Sequence, residues 1–166
     1  MFTSSNRKAR IVAAGAIFAA LAASALLLIF GKTQYLVLIN ERTGVVLYEV
    51  KAPDGTEFSI EFIHSVNKSP VKEYYIVADG RIYLTAVRYE SFGAGIPSEL
   101  EDGQTMRLED GTMLITGYDR HIPRLCYFIS RTEGHALDIG AVKIMLDTLD
   151  APGEPILFTI KARLPR

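Results

Sequence analysis

Four Asp-Gly pairs, at Asp54-Gly55, Asp79-Gly80, Asp102-Gly103 and Asp110-Gly111, constrain this chain more than any other feature. Both residues of such a pair tolerate positive φ. A two-residue turn that matches the twist of its flanking strands demands that geometry, so Asp-Gly is a strong hairpin signal. Three of the four lie between runs with strand character. Val45–Lys51 is expected to meet Thr56–His64 across Asp54-Gly55, with Pro53 ending the first strand. Lys72–Ala78 is expected to meet Arg81–Glu90 across Asp79-Gly80, and Thr105–Glu109 to meet Thr112–Tyr118 across Asp110-Gly111. Further strand-like runs are Tyr35–Asn40, Arg124–Arg131, Ala136–Ile139 and Ile156–Leu164, while Ala141–Leu149 reads as a short helix or as a strand and a turn. The expectation is an all-β domain, an antiparallel β-sandwich or a small barrel.

The first thirty residues follow a different rule. Residues 11–30, IVAAGAIFAALAASALLLIF, contain no charge, and a helix of that length rises about 30 Å, the thickness of a bilayer's hydrocarbon core. Arg7, Lys8 and Arg10 precede the run and only Lys32 lies just beyond it, which sets the N-terminus in the cytoplasm. The expectation is one N-terminal transmembrane helix: residues 1–10 a basic cytoplasmic tail, 11–30 an anchor and 31–166 an extracytoplasmic β-domain. The localisation that follows is a single-pass inner-membrane protein with its C-terminal domain periplasmic. A cleaved signal peptide is the rival reading, with Ala23-Ser24-Ala25 as a small-residue cleavage site. Cleavage there would leave Leu26-Leu27-Leu28-Ile29-Phe30 as a greasy terminus, so a retained anchor is preferred.

Residues 31–166 hold all 19 acidic residues but only 15 of the 18 basic ones, which leaves this part near −4. A mildly acidic domain without a basic run does not attract nucleic acid. One cysteine, Cys126, excludes an internal disulfide framework, and in the apolar run Leu125-Cys126-Tyr127-Phe128-Ile129 it reads as a buried thiol.

Side-chain parity places Phe58, Ile60, Phe62 and His64 on one inward face, opposite Glu57, Ser59 and Glu61. His64 then stands at the inner end of a core stripe. The loop His64–Glu73 that follows carries His64, Ser65, Lys68, Pro70 and Glu73 within ten residues. A second irregular stretch, Ser91-Phe92-Gly93-Ala94-Gly95-Ile96-Pro97, follows the next hairpin. Its glycines suggest unusual backbone angles or close approach of a partner.

These two stretches resemble a known family. Phe62-Ile63-His64-Ser65-Val66 with Pro70-Val71 and Glu73 looks like the first signature of domain-of-unknown-function family 1850, and Ser91–Pro97 like its second. A weaker echo runs from Arg120 to Pro123 and then through Gly134-His135-Ala136-Leu137. The resemblance covers roughly Val45 to Arg163. It implies a small bacterial protein often encoded beside the permease and solute-binding protein of TAXI-type TRAP transporters, which import small organic acids. It implies no catalytic residue.

Chemical readings of these residues compete with plainer ones. Ser65, His64 and Glu73 could form a nucleophile, a base and an orienting acid, but adjacent strand residues point apart and no nucleophile elbow supports them. His64, His121 and His135 lack metal-ligand spacing, so neither metal nor cofactor is expected. Gly93-Ala94-Gly95 lacks the Lys-Ser/Thr of a phosphate loop. Arg120 and Arg124 flank His121-Ile122-Pro123 and could grip a carboxylate, against a plainer role in surface ion pairs. The expected function is therefore binding rather than catalysis: an anchored accessory module of a TRAP-type organic-acid transport system. Its contacts with the permease or solute-binding protein would come from His64, Ser65, Lys68, Pro70, Glu73, Phe92, Gly93, Gly95 and Pro97. The alternative is a periplasmic domain that captures a small organic anion through His64, Arg120 or Arg124; His135 is a further candidate for ligand or partner contact, and a serine hydrolase using Ser65 ranks third.

Overall fold

A computed structural model of the chain describes residues 14–21, 32–90, 99–130, 132 and 134–164. Residues 14–21 are helical and exposed. Among the described residues no helix is long and apolar enough to cross a membrane. The remainder of the apolar run at 11–30 lies outside them, as do Phe92, Gly93, Gly95 and Pro97.

Residues Gln34–Lys161 form a compact unit built of strands. In chain order these are β1 (Thr33–Asn40), β2 (Val46–Lys51), β3 (Glu57–Ile63), β4 (Pro70–Ala78), β5 (Arg81–Tyr89) and β6 (Thr105–Glu109). They are followed by β7 (Thr112–His121), β8 (Leu125–Phe128), β9 (Ala136–Ile139), β10 (Val142–Met145), a 3-10 turn (Leu146–Thr148) and β11 (Pro155–Arg163). One sheet runs β10-β9-β3-β4-β5-β7-β6 and the other β2-β1-β11-β8. The fold is all-β and mostly antiparallel. Leu36 and Leu38 of β1, Leu125 of β8 and Ile156 and Phe158 of β11 share a single core cluster with residues of the larger sheet. Those include Phe58 and Ile60 of β3, Val77 of β4 and Leu137 of β9. Two sheets facing one core make a sandwich, not a closed barrel.

Two of the Asp-Gly hairpins form as the turn chemistry requires. Asp79 and Gly80 have φ of 50° and 66°, and Asp110 and Gly111 have 49° and 80°, so each pair supplies the two positive angles of a type I′ turn. The third differs. β2 pairs with β1, while β3 pairs with β4 and β9, so Asp54-Gly55 carries the chain from one sheet to the other. The cause lies just before it: Ala52 is fully buried and its N–H bonds Gln34 O, and Pro53 has no N–H to extend a ladder. The N–H of Gly55 then bonds Val77 O of β4. In the segment from Ala141 to Leu149, the strand-and-turn reading is the one that forms, as β10 and the 3-10 turn.

Seven strands face four, so the larger sheet overhangs the smaller. Met106 and Leu108 of β6 stand opposite Ile115 and Met113 of β7, which places all four on the core-facing side. Ile115 and Met113 are buried, whereas Met106 is 51% and Leu108 68% exposed.

Candidate functional site

His64 does not end the core stripe. β3 stops at Ile63, and His64 opens a tight turn closed by its N–H to Ser69 O and by Lys68 N–H to its own carbonyl. The His64 ring turns back on that loop: Nδ1 accepts the backbone N–H of Val66 at 3.2 Å and of Asn67 at 3.3 Å. This turn satisfies its own donors, which is why the ring is not drawn to the core. Ser65 is exposed, and Lys68 occupies the left-handed region with φ 52°. Pro70 and Glu73 belong to β4 rather than to the loop. Pro70 is its first residue, where a missing N–H is tolerated.

The register of β4 decides where Glu73 points. Glu73 pairs with Ile60 of β3 and Val87 of β5, both core residues, so its carboxylate faces the other sheet. There it meets Tyr127 of β8. The Tyr127 hydroxyl donates to Glu73 Oε2 in a short hydrogen bond, and the Tyr75 hydroxyl donates to the same oxygen at 2.8 Å. The two tyrosine oxygens lie 2.8 Å apart. Glu73 Oε1 accepts no hydrogen bond among the described residues. The result is a polar clamp between the sheets: one carboxylate oxygen fixed by two phenols, the other left as an acceptor.

An aromatic wall surrounds this clamp. His135 is buried, stacks on Phe62 with centroids 5.3 Å apart and tilts against Tyr127 at 5.5 Å. Phe158 meets Tyr127 edge-on at 5.9 Å, and Phe58 stacks on Tyr75 at 5.1 Å. Burial raises the Tyr75 hydroxyl above its ordinary range, and the Glu73 carboxylate adds to the rise. Burial likewise raises Tyr127, reinforced by Tyr75 and Glu73. Tyr89 is pushed up to about 12 by burial, with Tyr118 and Glu73 contributing. Tyr75 and Tyr127 are thus held as neutral donors beside the carboxylate.

The other candidates are placed apart from the clamp. Arg124 forks onto Glu41, with Nε to Oε1 at 2.7 Å and Nη2 to Oε2 in a shorter bond. Its hydrogen bond holds the Glu41 carboxyl below the usual carboxylate range. Cys126 is half-buried rather than enclosed, and its Sγ lies 3.7 Å from Glu41 Oε2. Burial and then Glu41 raise its thiol, which disfavours the reactive thiolate. Arg120 is exposed on β7 opposite Leu84. Among the described residues no group of three or more His, Cys, Asp or Glu is placed to hold a metal ion.

Of the residues singled out in the sequence, the structure therefore brings Glu73 and His135 together, through Tyr127. Tyr75 and Tyr127 were not among those candidates. The available signal was parity: Val71, Glu73, Tyr75 and Val77 occupy every second position of one strand, so a carboxylate falls on a stripe that is otherwise apolar or aromatic.

Fold and clamp define a class: an antiparallel two-sheet sandwich whose layers are joined by a carboxylate–tyrosine bridge. The chain belongs to a family described as a domain of unknown function (DUF1850), whose model matches residues 58–146, more than half of the chain. That span includes Glu73, Tyr75, Tyr127 and His135. No curated protein and no solved structure matches the chain.

Proposed function

We propose that this protein is a membrane-anchored binding module, an extracytoplasmic accessory of a TRAP-type organic-acid transport system that docks a partner chain on the β6 edge. The single observation that carries this reading is the overhang of the larger sheet. β6 is an edge strand, and all five of its residues are exposed. Edge strands present a row of backbone donors and acceptors, and proteins usually blunt them with charged side chains, an inward-pointing charge above all, or with proline, a bulge or a cover. In Thr105-Met106-Arg107-Leu108-Glu109 the charges of Arg107 and Glu109 stand on the face turned away from the core, and the core-facing side, Met106 and Leu108, carries none. An extended segment of a partner can add to β6 as a further strand, its apolar side chains lying beside Met106 and Leu108. The apolar run at 11–30 with its basic flank supports the anchor. The choice of partner is motivated by the transporter neighbourhood that the family resemblance implies.

The test places a photo-crosslinking residue at Leu108 of the full-length protein in cells, followed by mass spectrometry of the adduct. A permease or solute-binding protein of the transporter is expected, and the adduct is expected to disappear when Met106→Asp is added. A folded, membrane-located protein that captures no transport component from position 106 or position 108 would refute the reading.

A further inference from the structure

On the face of the larger sheet turned away from the core lies a groove of about 430 Å³. It owes its concavity to a β-bulge. Tyr74 pairs with Ala86 and Tyr75 with Leu84, so Thr85 is an extra residue on β5, held by its hydroxyl to Tyr74 O at 3.1 Å. A bulge bends and twists its strand, and such bends commonly re-aim side chains around a site. The floor is made of small residues, Ser59 and Ala86, with Tyr74 and Leu114 as walls. Ser59 is only 6% exposed although it faces away from the core, which shows how deeply the floor is set.

The charged residues that line this groove are Glu57, Asp138 and Arg88, with Lys72 beside them, and they are paired unevenly. Lys72 and Arg88 stand directly opposite each other across β4 and β5, a like-charged pair that a sheet ordinarily disfavours. Both cations approach the Tyr74 ring, at 5.9 Å and 6.0 Å from its centroid. Lys72 is neutralised: Asp138 Oδ2 lies at 2.9 Å and Glu61 Oε2 at 3.7 Å. Arg88 is not. Its Nε is buried without a hydrogen-bond partner, and no carboxylate among the described residues comes within salt-bridge distance of its guanidinium. Glu61 and Glu90 line a smaller hollow of about 130 Å³ on its other side, yet neither reaches it. A guanidinium whose Nε is buried without a partner and which lines an open groove is matched by a planar anion that accepts two parallel N–H bonds.

The geometry points to this groove as a binding site for a small monocarboxylate, its carboxylate on the Arg88 guanidinium and its apolar body between Tyr74 and Leu114. The volume falls at the lower end of small-molecule sites. Glu57 in the lining sets the charge limit: one negative charge is compensated by Arg88, and a second meets this acid, Asp138 being already paired with Lys72. The site lies on the opposite face of the sheet from the clamp and does not depend on the partner proposed for β6.

Calorimetric titration of the full-length protein in detergent micelles tests this, with benzoate and hexanoate as probes. Benzamide, hexanamide and inorganic phosphate are the controls. Binding of at least one acid is expected, with its amide at least about tenfold weaker, since hydrogen bonds to a charged group strengthen recognition by that order. Arg88→Gln should weaken the acid by about tenfold or more while Arg88→Lys retains part of the affinity. Ala86→Leu, which fills the floor without touching a charge, should abolish binding and keeps the test decisive if an Arg88 variant fails to fold. Arg124→Gln should bind as the unmodified protein does. Acid and amide of equal affinity, phosphate bound as tightly as the acids, full binding by Ala86→Leu, or no acid bound at about 10 mM would each overturn the assignment.

Discussion

Replacing Tyr127 by phenylalanine isolates the clamp's contribution to stability. The substitution keeps the ring, and with it the contacts to Phe62 at 5.9 Å, His135 at 5.5 Å and Phe158 at 5.9 Å. No cavity is made, so the loss is that of one hydrogen bond to a charged acceptor. Such bonds contribute about 1.5–3 kcal/mol net. Tyr75 still donates to Glu73 Oε2 at 2.8 Å, so the carboxylate is not orphaned and the upper part of that range is not reached. The expected loss is about 2 kcal/mol, a large share of the roughly 5–15 kcal/mol that keeps a domain folded. Glu73→Gln retains the shape but removes the charge, and should cost a similar amount. Because each variant deletes the same interaction, the double variant should lose less than the sum of the singles by about 1–2 kcal/mol. Urea unfolding followed by circular dichroism and by tyrosine fluorescence, with no Trp to interfere, measures all four corners of the cycle. Tyr127→Phe costing under about 0.5 kcal/mol, or costs that add within about 0.3 kcal/mol, would refute the claim that the clamp joins the sheets energetically.

Three further outcomes follow from single positions. A Cβ at Gly117, whose φ is +85°, would lie 2.2 Å from the carbonyl oxygen of Gly103, so Gly117→Ala combines left-handed strain of about 1–2 kcal/mol with displacement of backbone and should lower Tm by more than the same change at Gly111, where nothing is within 4 Å. Raised tyrosines make the fold alkali-sensitive: above pH 10 the unfolded chain loses phenolic protons that the folded chain keeps, so the stability these groups add is present below pH 10 and is lost as pH rises through about 12 for Tyr89. Unfolding at stepped pH should show that decline, and a flat profile to pH 12 would contradict it. Buried Asn40 accepts the N–H groups of Arg42 and Thr43, each at 2.9 Å, and donates to Asp150 at 2.6 Å, so Asn40→Ala should cost about 1–3 kcal/mol by urea unfolding. It should also relieve the lowering of the Asp150 carboxyl, seen as a rise in its titration midpoint by NMR.

What the sequence made legible was local. Alternation and Asp-Gly chemistry locate β4, β5, β6 and β7 and their turns, because a hairpin needs information only from its own residues. β2 and β3 show where this stops. Both are strands separated by Asp-Gly, yet Pro53 and the burial of Ala52 send them to different sheets, a choice made by packing rather than by turn propensity. Glu73 stood out as a residue of interest but not as an interior one: parity with Val71, Tyr75 and Val77 puts it on the inner stripe, yet its own charge and the Tyr74-Tyr75 pair blur the alternation. Its principal partner lies 54 residues away on the other sheet, a contact that neither strand announces alone. Arg88 escaped notice for a related reason: its lack of a partner is a property of the whole groove.

The order of strands also sets the timetable of assembly. The larger sheet is complete once the chain has been made as far as Met145, and its central members pair largely with neighbours in sequence. β11, the last strand, is no peripheral addition, because it lies between β1 and β8 in the interior of the smaller sheet. Chains emerge from the N-terminus, so β1 and β2 wait as a lone hairpin, a unit of marginal stability in water. Until Pro155–Arg163 arrives, Leu36 and Leu38 have no completed layer to hold them over the core. Folding of the whole domain thus waits for β11, and a chain truncated before residue 155 would remain a dependant of chaperones and proteases however sound its first ten strands.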